Sequence, residues 1–419
     1  MCSLSPISSV KQLQLDLPPS CVQVCPFDPS YFIVGTYNLE NSVAQAIAGA
    51  DEELEATETA TKKKQDRNGT LVLFRLDDDD KVVKVQTESQ PSAVLDLKFH
   101  GNKIGGKSIV AVVSSTGSLA IFALNPERHP LLQHLATSRC DDIGEDVLFL
   151  QCNWHPAAKR TIAVTTSSGL ARLLYLDENW CITEWTDLGI QNTLEAWSVA
   201  FSDSTNSKGE ANQPTTVYCG GDDSIMRYTS WSCSHGHGAQ TSDAVHPVAS
   251  IRGCHDAGVT AILPLPRWAA GGGRVVLTGS YDDHLRVLAI HDLHESHGAK
   301  KAQLLGDINL GGGVWRLDLI DMHPRGSHTA GVAVRVLASC MHAGVRIVGI
   351  HTDDGQTWTC ELLARFEEHK SMNYAADFVR KRDGKGLACI STSFYDRLLC
   401  LWEYPSSPCG GSQVRLPQE

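Results

Sequence analysis

Apolar residues in this chain come in short β-branched runs broken by tight polar turns, a pattern of strands rather than helices. One unit recurs seven times: an apolar strand, a polar turn and a second apolar strand. The turns and second strands read GTLVLFRL (69–76), STGSLAIFAL (115–124), SSGLARLLYL (167–176), DDSIMRYTSW (222–231), DDHLRVLAI (282–290), HAGVRIVGI (342–350) and YDRLLCLWEY (395–404). Their first apolar residues, Leu71, Leu119, Leu170, Ile225, Leu285, Val345 and Leu398, stand 48, 51, 55, 60, 60 and 53 residues apart. Four short strands with unequal loops fit that period, which is one blade of a β-propeller.

Ahead of each hairpin lies a strand that would be innermost in its blade: CVQVCPF, AVLDLKF, LFLQCNW, AWSVAF, GVTAIL, VWRLDL and YAADF. An outer fourth strand follows most hairpins, as in KVVKVQTE, CITEWTDL and CELLARF. The seventh hairpin ends at Trp402 without one, whereas Val10–Leu17 has a strand pattern and no blade of its own. This predicts an all-β seven-bladed propeller spanning 1–419 as one domain, its ring closed by the N-terminal strand, which removes exposed sheet edges. Asn38 to Asn68, with AQAIAGADEELEATETATKKK, reads as a mobile insertion in blade one, and 405–419 as a tail. Ser202–Pro214 and Cys233–Ala244 are polar loops around blade four.

Composition narrows the class. At 419 residues the chain exceeds the size at which a single core usually stops growing, a limit that repeat folds escape. Hydrophobic residues make up 42%, and no apolar run approaches the roughly 18 to 20 residues of a membrane helix. The N-terminus MCSLSPISSVKQLQLDL lacks the basic segment and apolar stretch of a secretory signal, so a cytoplasmic protein is expected. The 14 cysteines sit in apolar strand contexts (Cys152, Cys219, Cys340, Cys389, Cys400) without CxxC spacing, as buried free thiols do. A net charge of −12, concentrated in Asp51–Glu58 and Asp77–Asp80, makes nucleic acid a poor partner. His235 and His237 in SCSHGHG are too few for a metal tract, and neither metal nor organic cofactor is expected.

Blade five, GCHDAGVTAI…VLTGSYDDHLRVL, is the best WD repeat. There His255, Ser280 and Asp282 are expected to hydrogen-bond together and brace the loops, although Ser, His and Asp are also the members of a nucleophilic triad. By alignment, the turn position of Asp282 and of Asp222 in blade four is held by His342 in blade six and Tyr395 in blade seven. A neutral His342 serves either as a general base or as a loop hydrogen-bonder. Trp197, Trp315 and Tyr374 share one position at the start of the inner strands of blades four, six and seven, where blade five has Val259. They read either as core or as a binding wall with Arg316 beside it. GxSxG, HExxH, P-loop and GxGxxG motifs are all missing from the sequence.

YCGGDDSIMRY, TGSYDDHLRVL, GGGVWRL, ASCMHAGVRIV, NYAADF and STSFYDRLLCLW together resemble the diphthine methyl esterase family, WD-repeat proteins of the diphthamide pathway. The match runs from Glu195 to Trp402; the N-terminal half is similar mainly in architecture. The resemblance implies hydrolysis of a methyl ester on the modified histidine of translation elongation factor 2, with release of methanol. It further implies Trp197, Trp315, Tyr374 and Tyr395 against the modified imidazole and its trimethylammonium group, with Glu195 or Asp377 adding opposite charge. His342, Arg316 and Asp377 then form the catalytic set, His342 activating water or a nucleophile and Arg316 or backbone N–H groups holding the oxyanion. Ser280 and Ser393 are the candidate nucleophiles. A non-catalytic scaffold for protein–protein interaction is the competing expectation.

Overall fold

The computed structural model describes residues 4–40, 66–77, 81–203, 214–231, 246–326 and 330–405. Every regular element in it is a strand, and the strands form seven sheets in a ring, a seven-bladed β-propeller. The innermost strands of blades one to seven are Pro19–Val24, Val94–Phe99, Phe149–Trp154, Ala196–Phe201, Val259–Trp268, Arg316–Pro324 and Ala375–Arg380. The outer strand of blade seven is Ser9–Gln14, paired antiparallel with Leu398–Pro405, so the N-terminal segment closes the ring as its pattern predicts. Ile7 extends this closure, donating its N–H to the Arg365 carbonyl of blade six at 2.8 Å.

In blade one the ends of the 38–68 insertion extend the hairpin, with Asn38 opposite Asn68 and Leu39 opposite Arg67. Residues 41–65, His235, His237 and 406–419 lie outside the described residues.

Packing between blades explains why the middle strands are apolar without alternation. Both faces of each sheet are covered, so Ser108–Ser114 and Ser118–Leu124 are buried at every position. The core is divided into seven clusters, each between two neighbouring blades. Between blades six and seven, Phe366 and Trp402 are both wholly buried and stack at 5.1 Å with planes 4° apart.

The inner strands leave one backbone edge facing the central channel, and unpaired N–H groups there would be costly. Side chains from the preceding blade reach some of them. Asp377 Oδ2 accepts the N–H of Val24 at 2.7 Å, Gln23 Oε1 that of Phe99 at 2.6 Å, Asp96 Oδ2 that of Cys152 at 3.1 Å and Gln151 Oε1 that of Val199 at 2.6 Å. Blades seven, one, two, three and four are thus joined in series around the channel.

Removing residues 1–17 strips the fourth strand from blade seven and exposes the edge of Leu398–Pro405. Denaturant unfolding is expected to show a loss on the order of 3 kcal/mol or more, at about 1 kcal/mol for each ladder bond. Removing residues 1–5 is expected to change the midpoint little.

Candidate functional site on the face of blades four to seven

A β-bulge at the start of an inner strand sets one extra side chain apart from the ladder. Pairing skips from Ala196 to Ser198 in blade four and from Val259 to Ala261 in blade five, leaving Trp197 and Thr260 as the bulged residues. Thr260, rather than Val259, is therefore the blade-five counterpart of Trp197, one residue beyond the position reached by registering the strands on their last apolar residue. Trp315 and Tyr374 stand just ahead of their strands at the same level. The three rings come together in an arc that other aromatic residues extend. Ring centroids lie 5.1 Å apart for Trp197–Trp315, 5.0 Å for Trp315–Tyr374 and 5.8 Å for Tyr281–Trp315. The arc continues through Tyr374–Phe394 at 5.6 Å and Phe394–Tyr395 at 5.1 Å, and Tyr37 of blade one reaches Phe394 at 6.1 Å. Tyr395 is 69% exposed and forms the outer rim. Sequence reading missed Tyr281, Phe394 and Tyr37; the dipeptide SY ahead of the turn aspartate was the available signal for Tyr281.

Glycines make the close packing possible. A Cβ at Gly313 would come 2.7 Å from Met341 Sδ and 3.4 Å from Tyr281, and one at Gly258 2.9 Å from Tyr281 Cδ2. Glu195 is half-buried just ahead of Trp197, and its carbonyl accepts the Asp222 N–H at 3.0 Å. Burial, then the charges of Asp222, Tyr374 and Glu195, push the Tyr281 hydroxyl pKa up, so the phenol stays protonated. This end of the site combines ring faces with carboxylates.

His342 is exposed in the blade-six turn. The preceding residue, Met341, accepts the N–H of Asn373 at 3.0 Å, which fixes this turn against the residue ahead of Tyr374. Arg316 does not stand free beside the aromatic wall: its Nη2 crosses the channel to Asp96 Oδ1 in blade two at 3.0 Å. Asp377 lies in the channel wall as the clamp on Val24, with Oδ1 taking the Phe378 N–H at 2.8 Å. The structure thus brings Glu195, Trp197, Trp315, Tyr374 and Tyr395 to one face, His342 to the adjoining turn, and Arg316 and Asp377 to the channel.

Of the expected bracing contacts, Ser280 and Asp282 do meet, Ser280 Oγ accepting the Asp282 N–H at 3.2 Å, whereas His255 finds another partner. His255 Nε2 bonds Thr278 Oγ1 at 2.9 Å rather than Ser280. Ser280 donates to the Ala257 carbonyl at 3.0 Å, and Asp282 takes the Asp256 N–H at 2.9 Å and the Arg286 guanidinium at 2.8 Å. In blade four the same two contacts are made by Asp223, to the Thr193 N–H at 2.9 Å and to Arg227 at 2.8 Å, leaving Asp222 outside them. In blade seven the first of these contacts passes to Asp396, which accepts the Lys370 N–H at 3.2 Å, one residue beyond Tyr395, and Cys400 stands where the arginine would be. His342 alone replaces such an aspartate in these four blades, and the Arg346 of its blade turns to Glu367 at 2.9 Å.

Neither candidate serine is a poised nucleophile. Ser280 and Ser393 are fully buried, and Ser393 bonds Ser371, which in turn holds Asp396 at 2.7 Å. Burial pushes the Cys340 and Cys219 thiols up to about 12, which keeps both protonated at neutral pH, and no described residues are grouped to hold a metal. A 530 Å³ groove on the opposite face is lined by Asp28, Ser30, Asp77, Arg380 and Lys381. Its basic groups are engaged, Arg380 by Asp321 and Lys381 by Glu403.

No protein-family model matches the chain. It is 27% identical to "Diphthine methyltransferase" of Schizosaccharomyces pombe over 338 residues, 80% of this chain and 86% of that protein. With "Diphthine methyltransferase homolog" of Dictyostelium discoideum it shares 24% identity over 93% of this chain and 97% of that one. Over most of its length the chain is thus similar to proteins named diphthine methyltransferase. With the Homo sapiens protein of that name the identity is 26% over 76% of this chain and 63% of that protein. No helix among the described residues is long and apolar enough to cross a membrane.

Burial and the neighbouring Asp318 push the Asp377 carboxyl up to about 7, against the opposing pull of the Val24 and Phe378 N–H groups and of Lys98. Asp377 binds its proton more tightly folded than unfolded, so its contribution to stability is full below about pH 4 and is lost as pH rises through 7. The denaturant midpoint of Asp377→Asn is expected to fall less between pH 5 and pH 8 than that of the wild type.

Proposed function

We propose that this chain hydrolyses the methyl ester of methylated diphthine on translation elongation factor 2, as a cytoplasmic step of diphthamide biosynthesis. One observation carries the reading: a continuous arc of aromatic rings with carboxylates at one end, on the face where the resemblance requires a trimethylated imidazole to dock. A quaternary ammonium has no N–H to donate and is held by ring faces and negative charge together. Trp197, Trp315, Tyr374 and the exposed Tyr395 supply the rings, and Glu195 a carboxylate.

Chemistry then needs a base and an oxyanion partner at the ester. His342, exposed and fixed beside Tyr374 through Met341 and Asn373, takes a proton from water as it adds to the ester carbonyl. The tetrahedral oxyanion is held by backbone N–H groups of the turns or by Arg316 after exchange of Asp96. Collapse expels methoxide, which takes the proton and leaves as methanol. Relatives carry the printed name methyltransferase. Ester hydrolysis and methyl transfer are separated by the product: methanol and a free carboxylate, or a methylated acceptor.

In cells lacking this protein, mass spectrometry of elongation factor 2 is expected to show the methyl-ester form persisting. Purified protein alone should convert it with one methanol released per ester. His342→Ala is expected to lower kcat by about 100-fold or more while the thermal midpoint stays at the wild-type value. An unchanged modification state in those cells would favour the scaffold reading.

A further inference from the structure

Asp222 and Asp223 are adjacent carboxylates in one turn with different work. Asp223 makes every bracing contact of blade four, accepting the N–H groups of Thr193 and Ile225 and the guanidinium of Arg227. Asp222 occupies the preceding position, which in blade five is Tyr281, a member of the aromatic arc. Its Oδ1 is buried and has no hydrogen-bond partner, and the same is true of Trp197 Nε1. The two groups are close enough for the indole to oppose the rise in the carboxyl pKa that burial, Glu195 and Asp223 cause, yet they stop short of hydrogen-bond geometry. Gly258 presses on the same spot, since a Cβ there would stand 2.8 Å from Asp222 Oδ1 and 2.9 Å from Tyr281 Cδ2. A carboxylate is therefore held against backbone and ring edges, with the Trp197 indole as the one neighbour that offsets its charge.

An unpaired buried carboxylate oxygen is costly and persists where something else compensates it. We propose that Asp222 is the specificity-determining residue of the aromatic site, selecting a quaternary ammonium group over a neutral group of the same shape. The chemistry fits that class of ligand. A primary ammonium needs three acceptors, and the ring faces offer none; a quaternary ammonium needs only negative charge and polarizable contact. Glu195, on the strand start beside it, adds to the same field. This rests on the esterase reading for the identity of the substrate, but the ammonium preference is separable from the hydrolysis.

Two measurements test it on the full chain. Tetramethylammonium is titrated while tryptophan fluorescence is followed, Trp197 and Trp315 being in the site. Asp222→Asn is expected to weaken binding tenfold or more, and Asp222→Ser to do the same if the first variant folds poorly. Next, two peptide methyl esters are compared, identical except that one carries a trimethylammonium and the other a neutral tert-butyl group. The wild-type preference in kcat/KM for the charged ester is expected to fall at least tenfold in Asp222→Asn, through KM. Equal losses on both esters, a loss confined to kcat, or unchanged tetramethylammonium binding would overturn the proposal. Absence of ester hydrolysis with tetramethylammonium binding still dependent on Asp222 would instead overturn the esterase reading alone.

Discussion

A ring of sheets has to satisfy the one backbone edge that its geometry leaves over, the channel side of each inner strand. Four blades do so with a side chain reaching to the next: Asp377 to Val24, Gln23 to Phe99, Asp96 to Cys152 and Gln151 to Val199. These contacts sit at two registers of the inner strand. At the corresponding registers blades four and five carry Ser198, Ala200, Ala261 and Leu263, which are too short or too apolar for the task. Blade six carries Arg316 and Asp318, and Arg316 is spent across the channel on Asp96. The molecule therefore divides into a clamped side, blades seven through four by way of one, and a side held mainly by apolar packing. The aromatic arc spans the second side through Tyr281 and Trp315 and ends on blades four, seven and one.

The bulged position at the start of the inner strands is filled in two ways. At the bulged position blades one and five use small hydroxyls that stitch one blade to the next, Ser20 to the Val94 carbonyl at 2.6 Å and Thr260 to that of Val314 at 2.5 Å. Blades four, six and seven put Trp197, Trp315 and Tyr374 there instead. Ring stacking replaces stitching, each pair contributing about 0.5 to 1.5 kcal/mol beyond burial. A wall built this way stabilises the same seams that it exposes to a ligand.

The seven blades, the strand order and the closure by the N-terminal segment were legible in the sequence, because a twofold-buried strand leaves a continuous apolar run and a blade repeats it. Most of the aromatic wall was legible for the same reason. What escaped was anything displaced by one residue. The ladder register moves the blade-five position from Val259 to Thr260, and bracing passes from Asp222 to Asp223 and from position 395 to Asp396. Pattern matching counts residues, whereas a bulge or an added turn residue changes the count without altering the pattern. His255 had the right role with the wrong partner, since Thr278 and Ser280 point to the same side of their strand two residues apart.

The adjacent aspartates of blade four show how such a displacement opens room for function. When Asp223 takes over the Thr193 and Arg227 contacts, the residue before it is released from structural duty while its backbone stays fixed by the Glu195 carbonyl. Blade five fills the same place with Tyr281, whose phenol burial keeps protonated, and blade six with Met341. Among these neighbours Asp222 is the charged one, and its desolvation is tolerable because the turn that carries it is braced independently. A propeller with several equivalent turns can thus set one carboxylate against a field of ring faces without loosening the blade that holds it.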